Sequence, residues 1–520
     1  MARRAVPAAL LGCAWALPSL CAPAQDLGSV PAPQSSAVAP FSSSERALTL
    51  GECVRRALSR GFDLELEQHR LAMAREDVPI AESVFHPVFS ADGAKARDRI
   101  ARDSDLLPGL RSSGLASHVG VDQRLRSGAT VSIGSSLNRY ESNQPVTTIS
   151  GNTLTTLPNS LTYTNGLTLG LTQPLLRGFG DVNSIPLRRA EIGAEIAEQA
   201  YEERALDVVQ RTEAAYYRLT GARDQLSVLK TSLQLAERLL DEARARHDAG
   251  MATKLDLLEA QVGIANARLN VLQAENAVRE NEDRLHELIG RFELDAPLGP
   301  TVVEESALDP APTVAASYAE ALDHRPALRS ARSALELSRL DLARAKDDLK
   351  PSVDLGITLR ITGDDRSNEH AWSNAFAPER SAWQAGLNVT YPLGRIAEKA
   401  RLRQADRALM RDELAVQQLE QSTLVAIRAA IRDLDTSRES IRIAALAATY
   451  AEEQYEAERM RYRSGLSTSR RVLEAQQDLE AARVAEVQAK LDLRTSLSTL
   501  YRLEGSSIAR YGITLRGAAQ

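Results

Sequence analysis

Two patterns of apolar residues alternate along this chain, one with a period of two and one with the three-to-four spacing of a helix. Alternating apolar and polar residues predict strands, because successive side chains of a strand point to opposite faces. The predicted strands are 88–96, 119–125, 130–138 and 167–173, followed much later by 353–361 and 385–391. Their lengths come near the ~9 to 11 residues that a tilted strand needs to cross a bilayer. An ordinary soluble sheet is the alternative.

The segments between the strands are polar. Residues 98–114, 141–160 and 363–381 are predicted to be loops. Ser127-Gly128 stands between two strands and predicts a two-residue hairpin turn. Whether this hairpin raises the number of membrane strands from four to six stays open.

Very long helices follow each group of strands. Residues 185–249 and 396–464 carry apolar side chains at spacings of three and four, which predicts coiled-coil helices of roughly 100 Å. The return helix of the first, 253–290, shows the same spacing. The reversals at Gly250 and Gly465 are so short that each pair of helices must be an antiparallel hairpin. The apolar positions include Leu226, Leu229, Leu233, Ala236, Leu240 and Ala243 in the first long helix, and Leu258, Val262, Ala265, Leu269 and Leu272 in its return helix.

Shorter helices precede each group of strands, at 49–60 and 63–85 and again at 314–324 and 326–349. The return helix 253–290 is shorter than its long partner by about the length of helix 63–85. Stacking these two end to end would match the long helix, and the same holds in the second half.

The chain therefore contains the same order of elements twice. Residues 57–87 overlie 321–351 at a shift of 264, whereas a later match at a shift of 215 carries Gly250 onto Gly465. The unequal shifts leave 49 additional residues in the first group of strands. The predicted units are a first repeat 48–290 (strand region 86–174, helical hairpin 181–290), a linker 291–312, a second repeat 313–505 (strand region 352–391, helical hairpin 395–505) and a C-terminal tail 506–520.

The N-terminus predicts export. Arg3 and Arg4 precede an apolar stretch and a small-residue cleavage site, so 1–24 is predicted to be a signal peptide and 25–47 a disordered lead-in. The exported chain would keep Cys53 as a single thiol, which cannot form an internal disulfide.

Composition excludes several functions. The 520 residues carry a net charge of -6 without a basic region, so nucleic acid is not an expected partner. His286-Glu287 begins like a zinc-binding helix, but Gly290 occupies the position of the second histidine. We predict no catalytic residue, no cofactor and no metal, and hence no enzyme.

Two groups of strands cannot close a barrel by themselves, and open strand edges are not tolerated in lipid. A membrane interpretation therefore requires a ring of several copies. Tyr163, Trp383 and Tyr391 lie near strand ends, where aromatic residues mark membrane interfaces.

This tandem order, with Pro174 and Pro392 at the two switches from strand to helix, resembles the TolC family of outer-membrane efflux proteins from about residue 48 to 505. The resemblance implies a mostly helical α+β protomer with about four membrane strands. It also implies a homotrimer in which a β-barrel in outer-membrane lipid continues into a periplasmic α-helical barrel. Such a protein is the exit duct of a tripartite efflux or type I secretion system, working with a periplasmic adaptor and an inner-membrane pump.

The resemblance also implies roles for the hairpin tips. Gly250, Met251, Gly465 and Leu466 would form the periplasmic tip at which the adaptor docks. Asp256 and Tyr462 of neighbouring hairpins would hydrogen-bond to hold the tip closed. Arg471 stands where the family has an acid, and Glu474 still supplies a carboxylate, so a gate of Arg471–Glu474 salt bridges is one hypothesis.

The residues alone leave simpler interpretations open. Asp256 follows Thr253 by three positions and fits a helix-capping box, Tyr462 fits a packing position of the coiled coil, and Arg471 and Glu474 fit a surface ion pair. For the whole chain, a soluble periplasmic scaffold or adaptor is the alternative to an outer-membrane duct.

Overall fold

The fold is described from a computed structural model over residues 48–100, 110–143, 146–150, 153–157, 160–290, 298–302 and 312–513. The predicted signal peptide and the predicted lead-in lie outside these residues, as do most of the linker and the end of the tail. No helix within the described ranges is long and apolar enough to cross a membrane.

The first half follows the predicted order. It comprises β1 (Leu48–Thr49), α1 (Leu50–Arg60), α2 (Phe62–Glu82), β2 (Val88–Ile100), β3 (Leu110–Arg124), β4 (Thr130–Ser142), β5 (Val146–Ser150), β6 (Thr153–Leu157), β7 (Ser160–Pro174), α3 (Ile185–Asp248) and α4 (Lys254–Ile289). The side chain of Thr49 caps α1 by accepting a hydrogen bond from the amide of Glu52. The predicted helices of this half are thus confirmed to within three residues at each end.

The second half repeats this order with fewer strands. It comprises β8 (Thr301–Val302), α5 (Val314–His324), α6 (Pro326–Asp347), β9 (Ser352–Asp365), α7 (Asn368–Ala375), β10 (Ser381–Thr390), α8 (Ile396–Arg463), α9 (Ser469–Glu504) and α10 (Ser507–Arg510). Pro326 occupies the first turn of α6, where its missing N–H leaves no helical hydrogen bond unmade.

The principal sheet has six antiparallel strands in the order β10-β9-β7-β4-β3-β2. The hairpin β3–β4 joins the same sheet, so the sheet has six strands where the resemblance implied about four. The Leu125 amide donates to the Ala129 carbonyl, so the turn contains three residues, Arg126-Ser127-Gly128, and the predicted two-residue turn was wrong. Gly128 has a φ of +91°, a conformation that a side chain would strain. The additional residues of the first half thus widen the sheet.

All six predicted strands exist, but the loops between them were predicted too long. β2 extends to Ile100 and β3 begins at Leu110, segment 141–160 contains β5 and β6, and segment 363–381 contains α7. Far from the helices both faces of the strands are polar, so the period-two signal fades while the backbone hydrogen bonds continue.

The two faces of the sheet differ in their predominant residues. Odd-numbered residues pair with odd and even with even in every ladder of this sheet, so each parity occupies one face. The even face carries polar and small residues, as in the cross-strand row Ser132, Gly170, Thr358 and Gln384. The odd face carries exposed apolar side chains, among them Phe89, Leu115, Val119, Val121, Ile133, Leu169, Ile357, Trp383, Leu387 and Val389.

The helices form a layer of four. The helix α3 packs against α2 and α4 on one side and against α6 and α9 on the other, and α8 packs against α6 and α9. Leu71 of α2 lies beside Tyr201, while Ile264 of α4 lies beside Leu240, much further along α3. Between them α1 packs with α3 and the end of α4. The predicted end-to-end stacking along α3 is confirmed.

The helix α4 packs through a side other than the one that the sequence predicted. The side of α4 that packs on α3 consists of Ala260, Ile264, Ala267 and Ala274. The predicted stripe is exposed instead, with Leu258 at 48% and Leu272 at 64%. The predicted stripe has coiled-coil spacing, but it does not pack against α3.

The short strands that precede the first helix of each half pair with one another in the middle of the molecule. β1 and β8 pair in parallel, and the hydroxyl of Tyr216 donates to the carbonyl of Leu48 at 2.8 Å. Cys53 is fully buried here, and burial raises the pKa of its thiol to about 12, which keeps it protonated and unreactive.

The predicted tail is partly structured. α10 packs on α3, and Tyr511 donates a hydrogen bond of 2.5 Å to Glu213 of α3. Burial raises the pKa of Glu213, although hydrogen bonds from Ser498 and Tyr511 oppose that shift. The described part of the tail is therefore anchored to the long helix of the first repeat.

Candidate functional site

The two hairpins end in the same backbone turn. Gly250 and Gly465 have φ values of +73° and +77°. In the first hairpin the Met251 amide donates to the Arg246 carbonyl at 2.8 Å, and in the second the Leu466 amide donates to the Arg461 carbonyl at 2.9 Å. Both are Schellman motifs, in which a left-handed glycine ends the helix. The sequence identified these glycines correctly as the reversal points.

The turns expose apolar side chains. Met251 is 68% exposed and Leu466 is 77% exposed. The structure thus places the four predicted tip residues at two hairpin ends, with Met251 and Leu466 presented outward.

The helix that follows the first turn is capped by its own residues. The hydroxyl of Thr253 accepts from the Asp256 amide at 3.2 Å, and the Asp256 carboxylate accepts from the Thr253 amide at 2.9 Å. This is the capping box that was the simpler interpretation of Asp256. The Thr253 hydroxyl also donates to the Asp256 carboxylate at 2.7 Å, and this bond together with the bond from the Thr253 amide lowers the pKa of Asp256.

The helix that follows the second turn lacks this arrangement. Thr468 occupies the N-cap position but forms no side-chain capping bond. Its neighbour Ser469 is fully buried and donates to Asp256 at 3.1 Å and to Glu259 at 2.9 Å. Asp256 therefore connects the two hairpins through Ser469.

Tyr462 is a packing residue in this chain. It is buried against Leu239 of α3 and against Tyr455, Val472 and Leu479 of its own hairpin. Burial raises the pKa of its phenol. Its hydroxyl has no hydrogen-bond partner among the residues that the structure describes, so the predicted bond to Asp256 is not formed within one chain.

Tyr462 was predicted to contact Asp256, but in the structure it contacts Arg246. The guanidinium of Arg246 lies 4.5 Å from the centroid of the Tyr462 ring and also donates to the Tyr462 carbonyl. A cation over an aromatic face is attracted by the ring quadrupole. Arg246 thus joins the first hairpin to the second through a cation–π contact and a hydrogen bond.

A second link between the hairpins is ionic. Glu242 of α3 binds Arg463 at 2.6 Å and Arg459 at 3.3 Å, both on α8. Burial alone would raise the pKa of Glu242, but hydrogen bonds and charge from the two arginines outweigh it and the pKa is lowered.

The predicted Arg471–Glu474 pair is absent within the chain. Glu474 instead binds Arg470, one turn before it, at 3.0 Å. Arg471 is exposed and has no ion-pair partner among the described residues. A gate formed by Arg471 and Glu474 between copies stays a prediction.

Sequence reasoning missed the links through Glu242, Arg246 and Ser469. Each joins residues more than 200 positions apart, and the sequence does not show how one hairpin is rotated against the other. The repeat itself gives no signal, because Arg246 corresponds to Arg461, which pairs with Glu458 of its own helix.

The comparisons with known proteins agree with this architecture. The family model described as "Outer membrane efflux protein" matches residues 53–291 and 317–506. The chain belongs to this family. It is a TolC-family protein of the outer membrane with a helical periplasmic extension, and the family consists of passive channels rather than enzymes. The soluble scaffold is therefore excluded.

Several relatives are similar over part of their length. The Bordetella pertussis protein CyaE is 29% identical over 331 residues, which cover 62% of this chain and 67% of that protein. The Pseudomonas aeruginosa pyoverdine export protein OpmQ is 26% identical over 298 residues, covering 56% and 60%. The chain thus spans about two thirds or less of these proteins.

Solved channels show the same fold over more of the chain. The outer-membrane channel OprN has a TM-score of 0.65 at 19% identity and covers 88% of this chain and 90% of its own. The Campylobacter jejuni channel CmeC has a TM-score of 0.64 at 17% identity and covers 88% and 86%.

Proposed function

We propose that three copies of this TolC-family chain form one closed duct, through which an inner-membrane pump expels its cargo across the periplasm and the outer membrane. The observation that carries the proposal is that both layers of the protomer end in two unpartnered edges. The sheet ends at β2 and β10, and the helical layer ends at α4 and α8.

The helical edges carry apolar side chains that the protomer leaves uncovered. On α4 these are Leu255, Leu258, Val262, Leu269 and Leu272, and on α8 they include Leu414, Val425, Ile443, Leu446 and Tyr450. Stripes at spacings of three and four pack well against a second helix. The exposed stripe of α4 is thus suited to the α8 edge of the next copy.

The open edges of the sheet also require pairing with neighbouring copies. A strand edge in lipid leaves backbone N–H and C=O groups without partners, at a cost of several kcal/mol each. If β2 of one copy pairs with β10 of the next, three copies form a barrel of eighteen strands. The odd, apolar face of the sheet then contacts lipid, and the even, polar face lines a water-filled passage.

The hairpin tips are the proposed docking and gating end. An adaptor would bind the exposed Met251 and Leu466 beside the two glycine turns. Opening requires the hairpins to separate, and within one chain the contacts that resist separation are those of Glu242, Arg246 and Ser469 with their partners. The candidate gate residues Asp256, Tyr462, Arg471 and Glu474 act through, or lie close to, these links.

The cargo is set by the pump in this proposal. Two relatives are named for different cargoes, pyoverdine for OpmQ and toluene for the Pseudomonas putida pump protein TtgC. A shared duct with different cargoes is expected when selection takes place before the duct.

The mass and conductance of the purified protein test the proposal. Light scattering in detergent should give a protein mass of three chains of 56.6 kDa, less any leader removed on export. Planar bilayers should then show ion-conducting channels. Monomeric protein without conductance would contradict the duct.

Adaptor docking needs a separate test. The double variant Met251→Asp, Leu466→Asp should keep the trimer mass and the conductance but abolish export in cells. Export at the unaltered rate would remove the apolar tips from the docking surface.

A further inference from the structure

The helix α7 lies on the apolar face of the sheet, at the end remote from the helices. Gly363 of β9 and Asn165 of β7 are register partners on the odd face. A Cβ on Gly363 would lie 2.1 Å from the carbonyl oxygen of Ala371, so glycine is needed for α7 to approach this closely. Asn165 is fully buried and donates to the Asn368 side chain at 2.8 Å.

The helix presents two different sides. Ala371 and Ala375 are buried against the sheet. Trp372 and Phe376, also four residues apart, stack on one another with their ring centroids 6.2 Å apart and their planes at 23°. The Phe376 side chain is 65% exposed. Trp372 is half-buried, and Phe376 directly follows the helix. Each ring is one position round the helix from a buried alanine, so the pair projects sideways from α7, on the side of the sheet that carries apolar residues.

The aromatic pair continues the apolar face of the sheet. The next odd row below Gly363 contains Leu167 and Ile361, and the row below that contains Leu359 and Trp383. Two residues of a strand span only about 7 Å. Trp372 and Phe376 thus stand at the rim of the apolar face, where membrane proteins concentrate Trp and other amphipathic rings.

The neighbouring copy is not positioned to cover this pair. α7 packs on β7 and β9, and β10, which ends opposite Ile361 one odd row below Gly363, lies between β9 and the nearer edge of the sheet. A strand added at that edge would continue the sheet beside β10 and would not lie over α7. Lipid is the occupant that the geometry favours.

We propose that α7 is an interfacial anchor, whose Trp372 and Phe376 insert into the boundary between head groups and acyl chains of the outer leaflet. The proposal rests on the membrane placement of the sheet in the proposed function. A short amphipathic helix in this position binds by burying its rings at the boundary and fixes the height of the sheet in the membrane.

Tryptophan fluorescence tests the anchor in the full protein. The chain has three tryptophans, and Trp15 lies in the predicted signal peptide. The variant Trp383→Phe leaves Trp372 as the reporter, Trp372→Phe leaves Trp383 as a control within the sheet, and the double variant supplies the background. Each is reconstituted in phosphatidylcholine vesicles brominated either near the head of the acyl chain or near its middle.

We expect the ratio of quenching by bromine near the head to quenching by bromine near the middle to be higher for Trp372 than for Trp383, which lies two odd rows further from the end of the sheet. Trp372 quenched by aqueous acrylamide but by neither lipid would overturn the anchor, and so would Trp372 shielded from acrylamide and from both lipids, which would mean that protein covers it. Trp383 without any lipid quenching would instead contradict the membrane placement of the sheet.

A charge next to the reporter sharpens the result. In the Trp383→Phe background, Phe376→Asp should reduce head-region quenching of Trp372 by about half, because less apolar area enters the boundary. Ser373→Asp adds the same charge to another exposed position of α7 and should change it little. Equal losses in the two variants would mean that the Phe376 ring does not face lipid.

Discussion

The two hairpin tips share a backbone and differ in chemistry. Both reverse through a left-handed glycine and the same pair of amide hydrogen bonds. The first then caps its return helix with Thr253 and Asp256, whereas the second places Thr468 without a capping bond and directs Ser469 into the first tip. The first tip is stabilised locally, and the second depends on its neighbour.

The charged residues also differ between the two hairpins. In the ionic link the first hairpin provides the acid, Glu242, and the second provides the bases, Arg459 and Arg463. The two turns have the same backbone, whereas the side chains around them carry complementary charges. Two identical hairpins would place equal charges opposite one another, whereas these two hairpins form ion pairs with each other.

Removing the largest buried side chain of the second tip should have the largest effect. Tyr462→Ala leaves a cavity between α3, α8 and α9, and truncation of a buried aromatic residue costs about 3 to 5 kcal/mol. At about 1.4 kcal/mol per tenfold, amide exchange around Gly465 should accelerate by more than a hundredfold, measured by mass spectrometry. Glu456→Ala on the same helix, where the side chain is 57% exposed and lies outside the apolar stripe of α8, is the control.

The conservative variant separates packing from gating. Tyr462→Phe removes a hydroxyl that has no partner within the described chain, so exchange and conductance should stay unchanged. A rise in conductance would restore the predicted hydrogen bond of Tyr462, formed between copies.

The ionic link should come next in size. Glu242→Gln weakens two charged hydrogen bonds that are partly exposed, and a loss of about 1 to 2 kcal/mol is expected. Exchange should increase near both tips by about tenfold. Glu456→Gln is the matched control, because Glu456 lies 3.9 Å from Arg459 within one helix and is 57% exposed. Equal effects of the two changes would mean that Glu242 does not join the hairpins.

The capping acid should have a smaller effect. Asp256→Ala removes the capping box and one bond from Ser469, which costs about 1 kcal/mol. The change should be seen in the exchange of the first turn of α4. Arg471→Ala, at the corresponding position of the second hairpin, should leave the exchange near Gly465 as it was; a comparable loss there would show that Arg471 is engaged.

Acid should weaken the same links slightly. The pKa values of Asp256 and Glu242 are lowered from ordinary values of 3.8 and 4.5, so their contribution is complete above those values and is lost as pH falls through the lowered ones. Conductance should therefore rise below about pH 4. The double variant Glu242→Gln, Asp256→Ala should not show this rise, and a wild-type response in it would assign the acid effect to other groups.

The elements were readable from the sequence because their signals are local. Gly250 and Gly465 mark turns that need a left-handed residue, and the apolar spacing of α3 gives its buried side directly. The sequence could not show which side of α4 packs on α3, because the exposed leucines of α4 have the same spacing as a buried coiled-coil seam. Ser469 and Glu242 bind residues of the other repeat, and their partners depend on how the two hairpins are rotated, which no local pattern encodes.

The six-stranded sheet has a consequence for the bore of the duct. Six strands about 4.8 Å apart and tilted by about 40° occupy an arc of roughly 38 Å. Four helices spaced about 9 to 10 Å apart occupy roughly 36 to 40 Å. In the proposed trimer, each protomer would therefore contribute the same share of the circumference through its strands as through its helices. The inner wall would then keep one diameter from the sheet to the helices, so cargo moving along it would meet no step at the membrane.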